Sequence, residues 1–325
     1  MLAYIVRRLL YAIPILLGVN FLTFLLFFGL NSPDDIARMQ LGAKYASAKA
    51  IERWKAERGY DKPMFYNPAR AGVEKFTDTL FAGKSLRMFT FEFGRANDGH
   101  DIAREIRSRM GPSLALALPT FALGLFAAIT LALLLVFFRA TALDFWGVAI
   151  CVAMMSISSM FYIIGGQWLV SKIWALAPIS GYADGIDMAR FLYLPALIGV
   201  IAGLGSSARW YRTIFLEEIS RDYVRTARAK GLSELAALFR HVLRNALIPI
   251  LTGVVVIIPS LFLGSLLMES FFAVPGLGSY TIDAIRSQDF AIVRSMVFIG
   301  SALYIAGLIL TDISYTVADP RVRLG

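Results

Sequence analysis

Long runs without charge dominate the chain. No Asp, Glu, Lys or Arg occurs between Arg8 and Asp34, nor within residues 110–138, 145–171, 191–208, 245–268 and 295–311. Each run is about 17 to 29 residues long, and about 20 apolar residues cross a bilayer as a helix. In hydrocarbon a helix satisfies its own backbone polar groups. The pattern therefore predicts an all-α polytopic membrane protein with six transmembrane helices. Pro14, Pro119, Pro195, Pro249 and Pro259 fall inside or at the edges of these runs. Each frees a backbone carbonyl and permits a kink, and bundle neighbours re-satisfy such groups.

The polar stretches between the runs divide the chain. Residues 1–30 form the first helix, 31–109 a long polar segment, and 110–325 a five-helix core. The 31–109 segment is large enough for a small folded cap, with short helices expected over Ala46–Glu57 and Ala69–Leu80. Gly99–Met110 places Ile102, Ile106 and Met110 at i, i+4 spacing. That spacing fits a lead-in to the second span lying on the membrane surface.

The other polar stretch, residues 209–244, contains DYVRTARAKGLSELAALFRHVLRN. Ala227, Ala229, Ala236 and Ala237 favour helix. Gly231 breaks it, and Ser233 caps a second helix whose apolar side carries Leu235, Leu238, Phe239 and Val242. The expectation is a helix, a tight turn and a helix returning to the membrane. Small residues flanked by arginines make a docking surface: another backbone approaches closely while the guanidinium groups meet its carboxylates.

Composition agrees with the pattern. The 325 residues are 58% hydrophobic and 17% charged, against about 25% charged in soluble domains. The net charge of +9 does not indicate nucleic acid, because the basic excess flanks the apolar runs. Arg7 and Arg8, Arg139, the basic 209–244 segment, and Arg321 with Arg323 all fall on one side of a six-span chain. The positive-inside bias then places both termini in the cytoplasm. The basic 31–109 segment is exempt, since segments beyond about 60 residues translocate largely regardless of charge. The N-terminal run is too long for a signal peptide and is followed by NSPDD rather than a small-x-small site, so a retained helix is expected. Cys151, the only cysteine, allows no internal disulfide and reads as a packing residue.

Candidate chemistry is sparse. Gly83-Lys84-Ser85 resembles the end of a phosphate-binding loop, but the glycine required five residues earlier is replaced by Asp78. Glu269 and Asp312 stand at the ends of the fifth and sixth runs, and neither histidine, His100 or His241, lies in a run. A self-powered secondary carrier would be expected to hold a charge near the membrane midplane. An intramembrane enzyme would need a base or metal ligand beside residues such as Ser156, Ser158 and Ser159.

DYVRTARAKGL followed by RHVLRNALIP resembles the cytoplasmic signature of permease subunits of ATP-binding-cassette importers, in the dipeptide, oligopeptide and nickel branch. YIVRRLLYAIPILLGVNFLTF, IRSRMGPSLALALP, ESFFAVPGLGSYTIDAIRSQD and DISYTVADPRVRL are similar to other stretches of that family, so the resemblance covers nearly the whole chain. It implies the importer permease fold, with an extracytoplasmic insertion after the first helix and an inner-membrane location. It also implies a coupling helix that sits in a cleft of the ATP-binding subunit, here Arg225, Thr226, Ala227, Arg228, Ala229, Lys230, Gly231 and Leu232. The wider class begins this motif with Glu-Ala-Ala. Arg225-Thr226-Ala227 departs from that and fits the peptide branch. Pro275, Gly276, Leu277 and Gly278 form an outer turn or gate. The implied partners are a second, C-type permease subunit, two ATP-binding subunits and an extracytoplasmic substrate-binding protein. This chain resembles the B-type partner. The resemblance implies no enzyme activity and no cofactor or metal, ATP and Mg being bound by the partners. Peptides are the substrates it implies, with nickel chelates or other small solutes as alternatives.

Overall fold

The structure is a computed structural model describing residues 2–42 and 46–318. Arg321, Arg323 and the end of the DISYTVADPRVRL stretch lie outside the described residues. All regular elements among the described residues are helical: α1 Leu2–Leu30, α2 Pro33–Leu41, α3 Ala48–Arg58, α4 Glu74–Thr77, α5 Leu80–Lys84, α6 Ile102–Phe137, α7 Ala142–Ser156, α8 Ser159–Gly166, α9 Met188–Ile219, α10 Asp222–Ala229, α11 Glu234–Ala237, α12 Arg244–Leu261, α13 Leu266–Phe272, α14 Leu277–Arg286 and α15 Phe290–Ala318. Tighter 3-10 turns lie at Leu86–Thr90 and Gly185–Asp187, and wider π turns at Gln167–Ile173, continuing α8, and at Leu238–Leu243, joining α11 to α12. Among the described residues five helical stretches are long and apolar enough to cross a membrane, or six if the bent pair Ala142–Ser156 and Ser159–Ile173 is one span.

That bent pair is the main departure from six simple spans. The uncharged run 145–171 turns through 89° between α7 and α8, with neither proline nor glycine at the break. Ile157 is extended (φ −89°, ψ 127°), and the Ser158 hydroxyl accepts from the Met160 N–H at 3.4 Å to start α8. Serine competes for backbone hydrogen bonds in this way and favours caps over helix interiors. Elsewhere the helices outrun the uncharged runs. α9 continues to Ile219, past Arg209 and Arg212. α6 begins at Ile102, so the expected lead-in is continuous with the second span helix. α12 stops at Leu261, short of the expected Met268, because the chain turns at Gly264 (φ +70°) before α13.

The chain divides into two compact units. One runs to Ser108 and takes in Tyr280–Ile309; the other comprises Arg109–Ser279 and the chain from Leu310. In the first, Ser47 caps α3 as expected of a helix near 46–57. The helix expected over Ala69–Leu80 is broken into α4 and α5. Gly72 (φ +59°) and Asp78 (φ −90°, ψ 56°) interrupt it, and Thr79 caps α5 through the Ala82 N–H. An aromatic cluster joins α1 to this segment: Phe24 lies 5.1 Å from Phe81 and 5.4 Å from Phe65, centroid to centroid. Phe28 packs on Tyr60 at 5.6 Å. Buried Asn20 donates to the Ser85 carbonyl at 2.8 Å, a polar tie on the apolar α1.

The second unit has two cores. The larger includes Ala128, Ala132 and Val136 of α6, Cys151 of α7, Tyr211, Phe215 and Ile219 of α9, Val224, and Leu238, Val242, Ala246 and Ile250. The smaller gathers Leu116, Ile163, Leu194, Ile198, Phe272 and Val274. Cys151 is 1% exposed, as its packing role requires.

Candidate functional site

The segment expected to dock on a partner folds locally as its sequence dictates. α10 ends in a Schellman arrangement: the Leu232 N–H donates to the Ala227 carbonyl at 3.3 Å, and the Gly231 N–H to the Arg228 carbonyl at 2.9 Å. That closure needs a left-handed residue after the helix cap, and Gly231 supplies it with φ +85°. Ser233 then caps α11 through the Ala236 N–H at 3.3 Å. Val224 and Ala227 are buried, whereas Arg225, Thr226, Ala229, Lys230 and Gly231 form an exposed edge; Arg228 and Leu232 are half-buried. On the returning helix Leu238 and Val242 pack inward as expected, but Leu235 and Phe239 are 53% and 55% exposed.

Arg228, one of the arginines expected to dock, has a carboxylate partner within the chain. Its guanidinium forks onto Glu234, with Nε donating to Oε2 at 3.0 Å and Nη2 to Oε1 at 2.8 Å. Arg139, in the α6–α7 connection, also donates to Glu234 Oε1 at 2.6 Å. Glu234 therefore clamps the α10–α11 turn to the end of α6. A second clamp lies close by: Arg212 of α9 makes two bonds to Asp144 of α7, at 2.9 and 2.8 Å, and the Ala140 N–H donates to the same carboxylate at 3.3 Å. Tyr223 of α10 donates to Glu218. Burial first, then that bond, pushes its phenol up to about 12, so it stays protonated.

The Pro275-Gly276-Leu277-Gly278 turn is locked by a carboxylate. Glu269 on α13 is fully buried and accepts from the Ser113 hydroxyl at 2.9 Å, the Ser265 N–H at 3.1 Å and the Ser279 N–H at 3.0 Å. Ser113 on α6 in turn accepts from the Leu277 N–H at 2.7 Å. The turn's glycines serve proximity rather than the backbone freedom that a Pro-Gly turn suggests. Neither Gly276 nor Gly278 has a positive φ. A Cβ on Gly276 would stand 2.2 Å from Glu269 Oε2, and one on Gly278 would stand 2.7 Å from the Ser265 backbone. The sequence marks Glu269 only as a charge at the end of a run, and it does not mark Ser113. Both lie in the motif-like stretches ESFFAVPGLGS and IRSRMGPS, yet nothing in linear spacing says that residues 156 apart meet.

Beside this lock lies a pocket of about 400 Å³. It is lined by Ser113, Ala117 and Thr120 of α6, Gly199 and Ala202 of α9, and Ser260 and Ser265 at the α12–α13 turn, with no charged side chain on its wall. Leu116, Phe121, Leu261 and Met268 complete a mostly apolar, uncharged wall, on which the Thr120 and Ser260 hydroxyls already donate to carbonyls of their own helices.

Long apolar helices, one of them broken, with an exposed helix–turn–helix tied to their ends by carboxylates, define a polytopic membrane protein. Residues 109–324 match the binding-protein-dependent transport system inner membrane component, and residues 1–91 match the N-terminal part of such membrane components. The chain belongs to that family. It is the non-catalytic permease of an ATP-binding-cassette system that depends on a binding protein, seated in the inner membrane. A Brucella abortus protein named for peptide transport is 34% identical over 329 residues, covering 99% of both chains. The di/tripeptide transport system permease protein of Pseudomonas aeruginosa is 30% identical over 353 residues, again 99% of both. The dipeptide transport system permease protein of Escherichia coli is 28% identical over 350 residues, at 99% of both.

Proposed function

We propose that this chain pairs with a second permease subunit to form the pathway for di- and oligopeptides delivered by an extracytoplasmic binding protein, driven by two ATP-binding subunits. Six spans place both termini in the cytoplasm, with the 31–109 segment outside and residues 225–232 inside. ATP binding closes the two ATP-binding subunits on each other. The exposed Arg225–Gly231 edge, seated in one of them, moves with it. Glu234 and Arg139 pass that displacement to α6, and Arg212 and Asp144 couple α9 to α7. The Ser113–Ala117–Thr120 side of α6 lines the pathway, so a displaced α6 changes the wall that a peptide meets. The Glu269-locked turn at 275–278 is the outer gate. A partner shifts such an equilibrium only by its differential affinity for the two states.

The observation that carries this reading is the exposed, glycine-terminated α10 tied through Glu234 to the end of α6. The substrate class rests on the full-length relatives named for peptides. The test is copurification with the two ATP-binding chains, followed by reconstituted uptake of labelled dipeptide with the cognate binding protein. Stimulated uptake is expected. Absence of the ATP-binding chains would overturn the permease–ATPase coupling, and uptake of nickel chelates but not peptides would overturn the substrate class.

A further inference from the structure

The unit made of the chain up to Ser108 and Tyr280–Ile309 contains a polar pocket of about 460 Å³ that the transport reading does not use. Five cations line it, Arg58, Lys84, Arg87, Arg95 and Arg294, against two carboxylates, Glu57 and Glu92. The carboxylates do not neutralise it: Glu57 is turned to Arg53 at 2.9 Å, and Glu92 is exposed. Arg294 is only 4% exposed; its Nη2 donates to the Lys84 carbonyl at 2.6 Å, and its guanidinium lies 5.1 Å from the Phe28 ring. Arg58 donates to the Asn97 carbonyl at 3.0 Å, and Lys84 Nζ stands 4.8 Å from the Tyr60 ring. Among the described residues none of Arg58, Lys84, Arg87 or Arg294 forms an ion pair.

A buried cation without a counter-charge is costly unless a ligand supplies the charge; Arg294 is buried, Arg58 and Lys84 are half-buried, and Arg87 is exposed. The four come from separate elements, the end of α3, the end of α5, the turn at Leu86–Thr90 and the second turn of α15. Donors converging from several sides suit a tetrahedral oxyanion, whose acceptors point in all directions, better than a planar carboxylate. Arg294 and Phe28 also lie near the ends of two membrane-spanning helices, the level at which phospholipid phosphates sit.

We propose that this pocket is a phosphate-type oxyanion site with Lys84, Arg58, Arg87 and Arg294 as its ligands, filled by the headgroup of an anionic phospholipid or by free phosphate. Burial, then the neighbouring Arg294, Arg58, Arg87 and Lys62, lowers the Lys84 ammonium to about 8. The anion is therefore held by a charged lysine below that pH and loses one ligand charge above it.

The full chain, purified within its transporter in neutral detergent, is titrated with inorganic phosphate and with sulfate, whose charge is constant over this range. It is also reconstituted in nanodiscs of phosphatidylcholine with or without phosphatidylglycerol, and retained lipid is read by native mass spectrometry. Saturable anion binding or selective phosphatidylglycerol retention is expected in the parent. Lys84→Gln weakens it about ten-fold, and exposed Arg87→Gln, which leaves the fold untouched, weakens it several-fold. Sulfate binding falls between pH 7 and 9 in the parent and is flatter in Lys84→Arg. Retained phosphatidylglycerol that phosphate cannot displace identifies the lipid as the source; phosphate binding without lipid selectivity identifies the free ion. No binding by either route in the parent, or equal binding in parent and both glutamine variants, overturns the site.

Discussion

Gly231 and Gly276 are both glycines for which a side chain is costly, for opposite reasons. A Cβ added at Gly231 would meet nothing else of the chain within 4 Å, but φ is +85°. An alanine there meets backbone strain of about 1–2 kcal/mol, whereas asparagine tolerates the left-handed region. Gly231→Asn is expected to keep peptide-stimulated ATPase close to parent in the assembled complex, and Gly231→Ala to lower it modestly. Gly231→Trp should uncouple hydrolysis from uptake while assembly persists, because its ring, beyond the same backbone strain, would collide with the partner's cleft. Parent-like coupling in the Trp variant would remove the docking role. At Gly276 the backbone is ordinary and space is the limit. Gly276→Ala drives a methyl group into Glu269, an overpacking of about 1–3 kcal/mol. Glu269→Gln keeps the shape but turns one acceptor into a donor facing the N–H and O–H groups of Ser113, Ser265 and Ser279, about 1–3 kcal/mol for the unmet groups. Both variants are expected to lower the thermal midpoint of the solubilised protein. Unchanged midpoints would mean that the turn is not held by this carboxylate.

At the scale of elements, the connections hold more of the mechanism than the spans do. The 36-residue α6 and 32-residue α9 are each longer than the roughly 20 residues that cross a bilayer. The surplus turns of α9 carry Arg212, which binds Asp144 of α7, and Arg139, just beyond the end of α6, binds Glu234 at the α10–α11 turn. The Arg139–Glu234 pair is one-third exposed on both sides, which limits its worth to about 0.5–1 kcal/mol. A double-mutant cycle with Arg139→Ala and Glu234→Ala on unfolding free energy is expected to give a coupling of that size. Each single variant should lower the ratio of peptide transported to ATP hydrolysed more than it lowers stability. Additive stabilities would show that the two groups do not interact, and an unchanged transport ratio would exclude α6 as the route of coupling.

For the molecule as a whole, orientation decides which surface meets which partner. Reporter fusions at residue 60 are expected to read outside, and fusions at residue 230 inside, on the basis of the basic short connections. A fusion at 230 that reads outside would put α10 out of reach of any cytoplasmic ATP-binding subunit. The same experiment tests the bent α7–α8 pair. If it entered and left on one side instead of crossing, the chain beyond it would reverse relative to the first helix, and the two fusions would report the same side.

Charge-free length is legible in a sequence because hydrocarbon excludes ions one residue at a time. The apolar runs, and with them the membrane helices, follow from residues such as 9–33 and 245–261 read in order, and the family resemblance from stretches such as DYVRTARAKGL. Capping is legible for a similar reason: Gly231 and Ser233 act on backbone groups within a few residues of themselves. What the order of residues leaves open are the meetings of distant polar side chains. Ser113 with Glu269, Arg139 with Glu234, and Arg294 with the Lys84 carbonyl are each joined only once helices far apart in the chain pack together. Helix ends fall under the same rule. α9 continues past Arg212, whose charge Asp144 receives, and α12 stops at Leu261, where Gly264 turns the chain towards Glu269. Whether a polar group ends a helix depends on the partner it finds, and the tertiary structure supplies that partner.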